Sequence, residues 1–171
     1  ISQFKNEATN LEAILSKINF ISAKEAVESQ DLVDAIQRGG GAAALAGTKF
    51  NEYLSIITAV RATTRESADQ IATGIRTITA NIASPTTIEF FRKKYKVDIA
   101  PGDKVDDLVT AIDKIKTRLG QLGELPTIKD IIDPETGKIT QELTNKSVAF
   151  SEALEKLGGK RNQSRLIPLF T

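Results

Sequence analysis

Residues 105–122 read VDDLVTAIDKIKTRLGQL, and their apolar positions recur at alternating steps of three and four residues. This spacing places the apolar side chains along one face of an α-helix, as in the seam between paired helices. Gly120, Gly123 and Pro126 are residues that end such a helix. The stretch therefore predicts an amphipathic helix that packs along one side. Its seam residues are Val105, Leu108, Ile112, Ile115, Leu119 and Leu122.

Helical spacing continues on both sides of this seam. Isoleucines recur at helical intervals from Ile71 to Ile82, and Thr63 with Glu66 has the form of a capping box. A further seam runs from Leu143 to Leu157, where two glycines close it. We predict an all-α fold, a compact multi-helix domain of about seven to nine helices.

Residues 131–140, IIDPETGKIT, interrupt the helical pattern. Apolar residues lie on both sides of a Pro/Gly turn, which is typical of a short β-hairpin. An isolated two-stranded hairpin is marginal in water, so a helix–turn–helix linker is the competing interpretation. The sequence leaves both open.

Length and composition limit the class of protein. The 171 residues favour a single helical domain over 1–171, or two closely packed helical subdomains, 1–100 and 101–171. The chain has no methionine, so Ile1 is not an initiator and we expect a fragment of a longer chain.

The absence of cysteine and histidine excludes disulfides, Cys/His zinc sites and histidine-based catalysis. A net charge of +1 gives no general attraction to nucleic acid or anionic membranes.

Residues 38–49 read RGGGAAALAGTK and invite comparison with a phosphate-binding loop. The spacing of the glycines, the Thr-Lys order and the helical approach do not match G-x-x-x-x-G-K-[ST], so we predict no nucleotide site. Gly39, Gly40 and Gly41 instead predict a helix break or hinge. The following alanines form a small-residue face for close helix packing, and Gly47 stops that helix.

No group of residues predicts a catalytic, cofactor or metal site. The basic stretch 92–96 behind two phenylalanines could contact nucleic acid or a membrane. We favour cations at a helix C-terminus, with Phe91 and Tyr95 packed inward. Asp130, Asp133 and Glu135 lack the spacing of a calcium loop.

Two stretches carry a family resemblance. Residues 31–91 begin with Asp-Leu, pass through small residues and a glycine-containing turn, and contain ATGIRTI at 72–78 followed by PTTI at 85–88. Residues 157–170, LGGKRNQSRLIPLF, follow in the same order. The first stretch resembles the core region of phage tail tape measure proteins, and the second is similar to the segment that closes that region.

The resemblance implies a structural protein of a phage or prophage tail. In that family a long helical chain lies inside the tail tube, sets tail length during assembly and leaves ahead of the DNA. It implies as partners the tail-tube protein, an assembly chaperone or a second copy of the chain, with no cofactor and no small-molecule substrate. The expected location is the tail interior of the virion, and the host cytoplasm during assembly.

Two other classes of function compete with this one. A membrane-active or secreted helical effector would use its amphipathic helices and the cluster at 90–96 on a bilayer. An enzyme is disfavoured because no constellation of catalytic residues is found. For a structural protein, the exposed parts of the 105–122 seam are the candidate partner contacts, with burial in the protein's own core as the competing role.

Overall fold

The computed structural model describes residues 11–24, 28–102, 104–132, 139–144 and 147–170. Within them the chain forms eight α-helices and one two-stranded antiparallel sheet, which confirms the predicted multi-helix domain. A π-helical turn, Phe91–Tyr95, extends the fifth helix, and a 3-10 turn, Lys160–Asn162, precedes the eighth. The elements are α1 (Leu11–Lys24), α2 (Ser29–Leu45), α3 (Phe50–Thr64), α4 (Ala68–Ile82), α5 (Pro85–Phe90), α6 (Leu108–Gln121), β1 (Thr127–Ile132), β2 (Ile139–Thr144), α7 (Val148–Gly158) and α8 (Gln163–Phe170).

One cluster of buried apolar side chains joins the helices from α1 to α8. Most of its members are isoleucine, leucine and alanine, because the chain has few aromatic residues and no tryptophan. The largest buried side chains are Tyr53, Phe50, Phe91, Phe150 and Phe170. Phe150 and Phe170 meet edge to face with ring centroids 5.7 Å apart, and this contact joins α7 to α8.

The helix start predicted at Thr63 and Glu66 is wrong. Thr63 lies inside α3, where its hydroxyl donates to the Ala59 carbonyl oxygen at 3.0 Å. The chain turns at Arg65, whose φ of 56° is left-handed, and Ser67 then caps α4. The Gln70 side chain accepts from the Ser67 backbone N–H at 3.3 Å, so the capping box lies four residues later than predicted.

The helix break predicted at Gly39–Gly41 is also wrong, because α2 runs through all three glycines. Gly39 and Gly40 are buried where α2 packs against α4. A Cβ at Gly39 would overlap the Tyr53 hydroxyl and lie 3.1 Å from the Cβ of Ala72. Close packing therefore occurs at the glycines, whereas it was predicted for the alanines that follow; of these, Ala43 is buried. The predicted stop is confirmed at Gly47, whose φ is 89°.

The helix around residues 105–122 begins later than its apolar spacing predicts. Asp107 caps α6 by accepting from the backbone N–H groups of Val109 at 2.9 Å and Thr110 at 3.0 Å. Val105 precedes this cap and is not helical. The first position of the predicted seam is therefore a loop residue.

A β-hairpin is present where the sequence left a hairpin or a linker open. β1 and β2 pair in register from Thr127 opposite Thr144 to Ile132 opposite Ile139. Residues 133–138, which include the predicted turn, lie outside the described residues. Leu143 belongs to β2, so the helical seam predicted from Leu143 is wrong in its first turn. α7 instead begins at Val148, after the Ser147 cap.

Candidate functional site

The six seam residues predicted as partner contacts have different environments. Four of them belong to the core of the domain, and the helix presents them to α4 and α8 rather than to solvent. Val105 is half-buried, and Leu122 is 46% exposed. Ile112 is the one that also reaches a surface groove. Partner contact through this seam remains a prediction. The four core residues are Leu108, Ile112, Ile115 and Leu119.

The outward face of α3 lies between two apolar grooves. The first groove, about 440 Å³, separates α3 from α1 and is lined by Phe20, Ile21 and Leu54. The second, about 370 Å³, separates α3 from α6 and α8. Asn51 and Ser55 line both grooves, so they form the ridge between them.

The second groove has an apolar floor with charged residues at one end. Ile56, Val109 and Leu169 line its length. A smaller hollow of about 170 Å³ continues it along α6, where Asp113 and Lys116 stand on the rim. The ridge residues Asn51, Ser55 and Ala59 are spaced by four, so they follow one row along α3. We call this row the α3 ridge. No apolar periodicity marks it, and the sequence therefore gave no signal for this surface.

The two stretches that carry the family resemblance meet in the fold. Arg165 of α8 binds Glu66 through Nε at 2.6 Å and Nη2 at 3.3 Å, and it also donates to Asn162. Gly74 of α4 lies beneath this arginine, since a Cβ there would lie 2.5 Å from Arg165 Cδ. Asn81 donates to the Leu157 carbonyl oxygen at 2.8 Å. The two resemblance stretches, 31–91 and 157–170, are therefore in direct contact.

Three of the four cations in the basic stretch 92–96 form ion pairs. Arg92 binds Asp98 at 2.7 Å and Lys94 binds Glu152. A hydrogen bond from the Arg92 guanidinium lowers the pKa of Asp98, and one from Lys94 lowers that of Glu152. Phe91 and Tyr95 are buried, which confirms their predicted inward packing. Most of the positive charge of the stretch is therefore paired.

Within the described residues, no group of three acidic, cysteine or histidine side chains is placed to hold a metal ion. No helix in the described ranges is long and apolar enough to cross a membrane. Both findings concern those parts of the chain alone.

Residues 1–132 match the family described as phage-related minor tail protein. The chain belongs to the phage-related minor tail protein family. The phage tail role implied by the resemblance is therefore confirmed at the level of the family. No solved structure matches the chain.

The family match ends at the last residue of β1, so α7 and α8 of this minor tail protein lie outside it. The Arg165 pair with Glu66 and the Asn81 bond to Leu157 nevertheless attach these helices to the matched region. The second resemblance stretch, 157–170, is thus packed against the first although only the first falls within the family match.

Proposed function

We propose that this minor tail protein is a segment of a tape measure protein, which takes part in tail assembly and sets tail length through helix–helix contacts. The observation that carries the proposal is the meeting of the two stretches that resemble this family, through Glu66, Gly74 and Arg165. The family match over residues 1–132 supports a tail role. The helical structure supplies the apolar faces that such contacts need.

The proposed role is structural and uses no catalysis or cofactor. Its partners are other tail components: the tail-tube protein, an assembly chaperone or a second copy of the chain. The chain would lie in the interior of the tail in the virion and in the host cytoplasm during assembly. The paired charges on 92–96 favour protein contacts over a bilayer or nucleic acid.

Tail length measured by electron microscopy tests this proposal. Deleting residues 29–82 from the gene that carries the segment is expected to shorten tails. The loss would be about 80 Å if this part is helical and extended inside the tube, at about 1.5 Å per residue. Duplicating the same residues is the matched control and should lengthen tails. Intact tails of unchanged length in both variants would contradict length determination while leaving the tail assignment in place.

A further inference from the structure

Helices α7 and α8 pack on each other and form a unit at the end of the chain. The Phe150 and Phe170 rings meet edge to face between them, with centroids 5.7 Å apart. A Cβ at Gly158 would lie 2.9 Å from Leu166 Cδ1, so the two helices also pack closely where α7 ends. We call α7 and α8 the C-terminal unit and the helices from α2 to α6 the body. The contacts within the unit allow it to move as one piece.

The contact between the C-terminal unit and the body is specific in charge and shape. Arg165 of the unit binds the Glu66 carboxylate of the body through Nε at 2.6 Å. Gly74 leaves the space that the arginine side chain occupies, and Asn81 donates to the Leu157 carbonyl oxygen at 2.8 Å. These contacts do not require the unit and the body to belong to the same chain. The body therefore carries a docking site for a C-terminal unit, whichever copy supplies it.

The β-hairpin is the covalent connection between the two parts. β1 follows the body and β2 leads into the unit, and they pair from Thr127 opposite Thr144 to Ile132 opposite Ile139. A two-stranded hairpin is marginally stable in water, so separation of the strands has a low cost. Antiparallel pairing joins backbone groups, so β1 of one copy can pair with β2 of another in the same register. The hairpin can therefore open, release the unit and form again between two copies.

The end of α8 fills its place on the body incompletely. Leu169 lines both the second groove of about 370 Å³ and the hollow of about 170 Å³ along α6. Ile56 and Val109 of the body line the same two spaces. Side chains beside such hollows lose part of the dispersion attraction that a close-packed contact provides. The body therefore holds this end of the unit less tightly than a filled contact would.

We propose that two copies of the chain exchange their C-terminal units, so that α7 and α8 of each copy dock on the body of the other. Such an exchange keeps every contact between unit and body and makes a closed dimer with two-fold symmetry. Because these contacts are the same in both forms, the protein concentration decides between the closed monomer and the exchanged dimer. The exchange rests on the proposed function for its role in tails, where it gives a second copy a defined contact.

Charge reversal tests the exchange, because it can be arranged to favour contact between chains. Glu66→Arg places two arginines together in a closed monomer, and Arg165→Glu places two glutamates together. When the two variants are refolded from urea in one solution, exchange brings opposite charges together at both docking sites. Native mass spectrometry is expected to show a heterodimer with one copy of each variant. It should be at least about tenfold more abundant than the dimer of either variant refolded alone.

Two controls separate exchange from general attraction between charges. The chain that carries both Glu66→Arg and Arg165→Glu restores the pair internally and should dimerise no more than the wild-type protein. Glu89→Arg and Lys93→Glu reverse an ion pair that lies wholly in the body, so mixing these two variants should give no additional dimer. A heterodimer from both mixtures, or from neither, would overturn the proposal.

The connection offers a second test, which leaves the docking contacts unchanged. Deleting residues 133–138 joins Ile132 directly to Ile139, and a hairpin without loop residues cannot pair these two within one chain. Sedimentation is expected to show a helical dimer for this variant, and for the wild-type protein a monomer that dimerises as its concentration rises. The exchange would be rejected by a deletion variant that stays monomeric or loses its helical circular dichroism, or by a wild-type protein that stays monomeric at about 1 mM. These results do not depend on whether the chain sets tail length.

Discussion

At the scale of single residues, Gly39 shows why a helix can retain glycine in its interior. Glycine costs a helix about 1 kcal/mol relative to alanine. At this position the Tyr53 hydroxyl occupies the space that a side chain would need, and it donates to the Ala35 carbonyl oxygen at 2.7 Å. The glycine therefore allows α2 and α4 to pack closely and leaves room for the Tyr53 hydroxyl against α2. A hinge role for Gly39, Gly40 and Gly41 stays a prediction.

Gly39→Ala is expected to lower the free energy of unfolding by about 1–3 kcal/mol, because the new methyl group overlaps the Tyr53 hydroxyl and crowds Ala72. Equilibrium urea unfolding measures the change. Gly120→Ala is the control: it lies exposed near the end of α6, with only the flexible end of Leu125 at 3.3 Å. An equal loss in both variants would contradict the packing explanation.

The two tyrosines predict a loss of stability in alkaline solution. Burial, reinforced by the charge of Glu152, raises the pKa of Tyr95 from 10.0 to about 12, and burial also raises that of Tyr53. A raised folded-state pKa gives stability that is complete below the unfolded value of 10.0 and is lost as pH rises toward 12. Urea unfolding at several pH values should show this decline. Because lysines titrate in the same range, the variant with Tyr53→Phe and Tyr95→Phe is the control, and its decline should be smaller.

At the scale of elements, α8 is held by a polar contact as well as by its apolar side chains. The Arg165 and Glu66 side chains are only 13% and 25% exposed, so solvent screens their interaction weakly. Asn162 adds a second partner, and Leu166 and Phe170 are buried beside it. This contact fixes α8 on the turn between α3 and α4.

Arg165→Ala is expected to cost about 2 kcal/mol or more, because it leaves the Glu66 carboxylate half-buried without its partner. Compared with the wild-type protein, amide hydrogen exchange in the variant should accelerate more in α8 than in α2 or α4. Lys93→Ala is the control, since its ion pair with Glu89 is 74% and 64% exposed and should contribute little to stability. If the two substitutions cost the same, α8 is not held in this way.

The α6 seam gives a prediction with an internal control. Ile115→Asp is expected to unfold the protein, because it places a carboxylate among the buried apolar side chains of the core. Leu122→Asp changes the same seam at a position that is 46% exposed and should leave the circular dichroism spectrum and melting temperature nearly unchanged. A folded Ile115→Asp protein that had only lost self-association would instead make the seam an interface.

At the scale of the whole molecule, one apolar cluster connects helices from both halves of the chain. We therefore propose that residues 1–171 behave as one cooperative domain. The hairpin of β1 and β2 connects α6 to α7. The Ser147 hydroxyl donates to the Glu124 carbonyl oxygen at 2.9 Å and so joins the two segments that flank the hairpin.

Small-angle scattering tests the compact form. We expect a radius of gyration of about 16 Å, the value typical of a folded chain of this length. A straight helix of the same residues would extend to about 250 Å. Unfolding followed by circular dichroism and by tyrosine fluorescence should give coincident transitions. A rod-like particle or separate transitions would contradict a single compact domain.

The helical class, several helix ends and the phage tail role follow from the sequence alone. Gly47 and Gly123 are read correctly as residues that end a helix, because a glycine with positive φ acts through its own backbone. The helices themselves follow from apolar spacing. The phage tail role follows from the order of short sequence patterns along the chain. Neither inference requires knowledge of which helices pack against one another.

The tertiary structure was needed to show which faces are covered and which glycines remain helical. Apolar spacing defines a helix face but does not say which neighbouring helix packs on it. Four residues of the α6 seam therefore proved to be core, and the α3 ridge has no apolar spacing that would have predicted it. Gly39 is helical because Tyr53 and Ala72 approach it from other helices. Glu66 and Arg165 pair across 99 residues of sequence. Such contacts depend on the relative placement of whole helices, which local residue patterns do not encode.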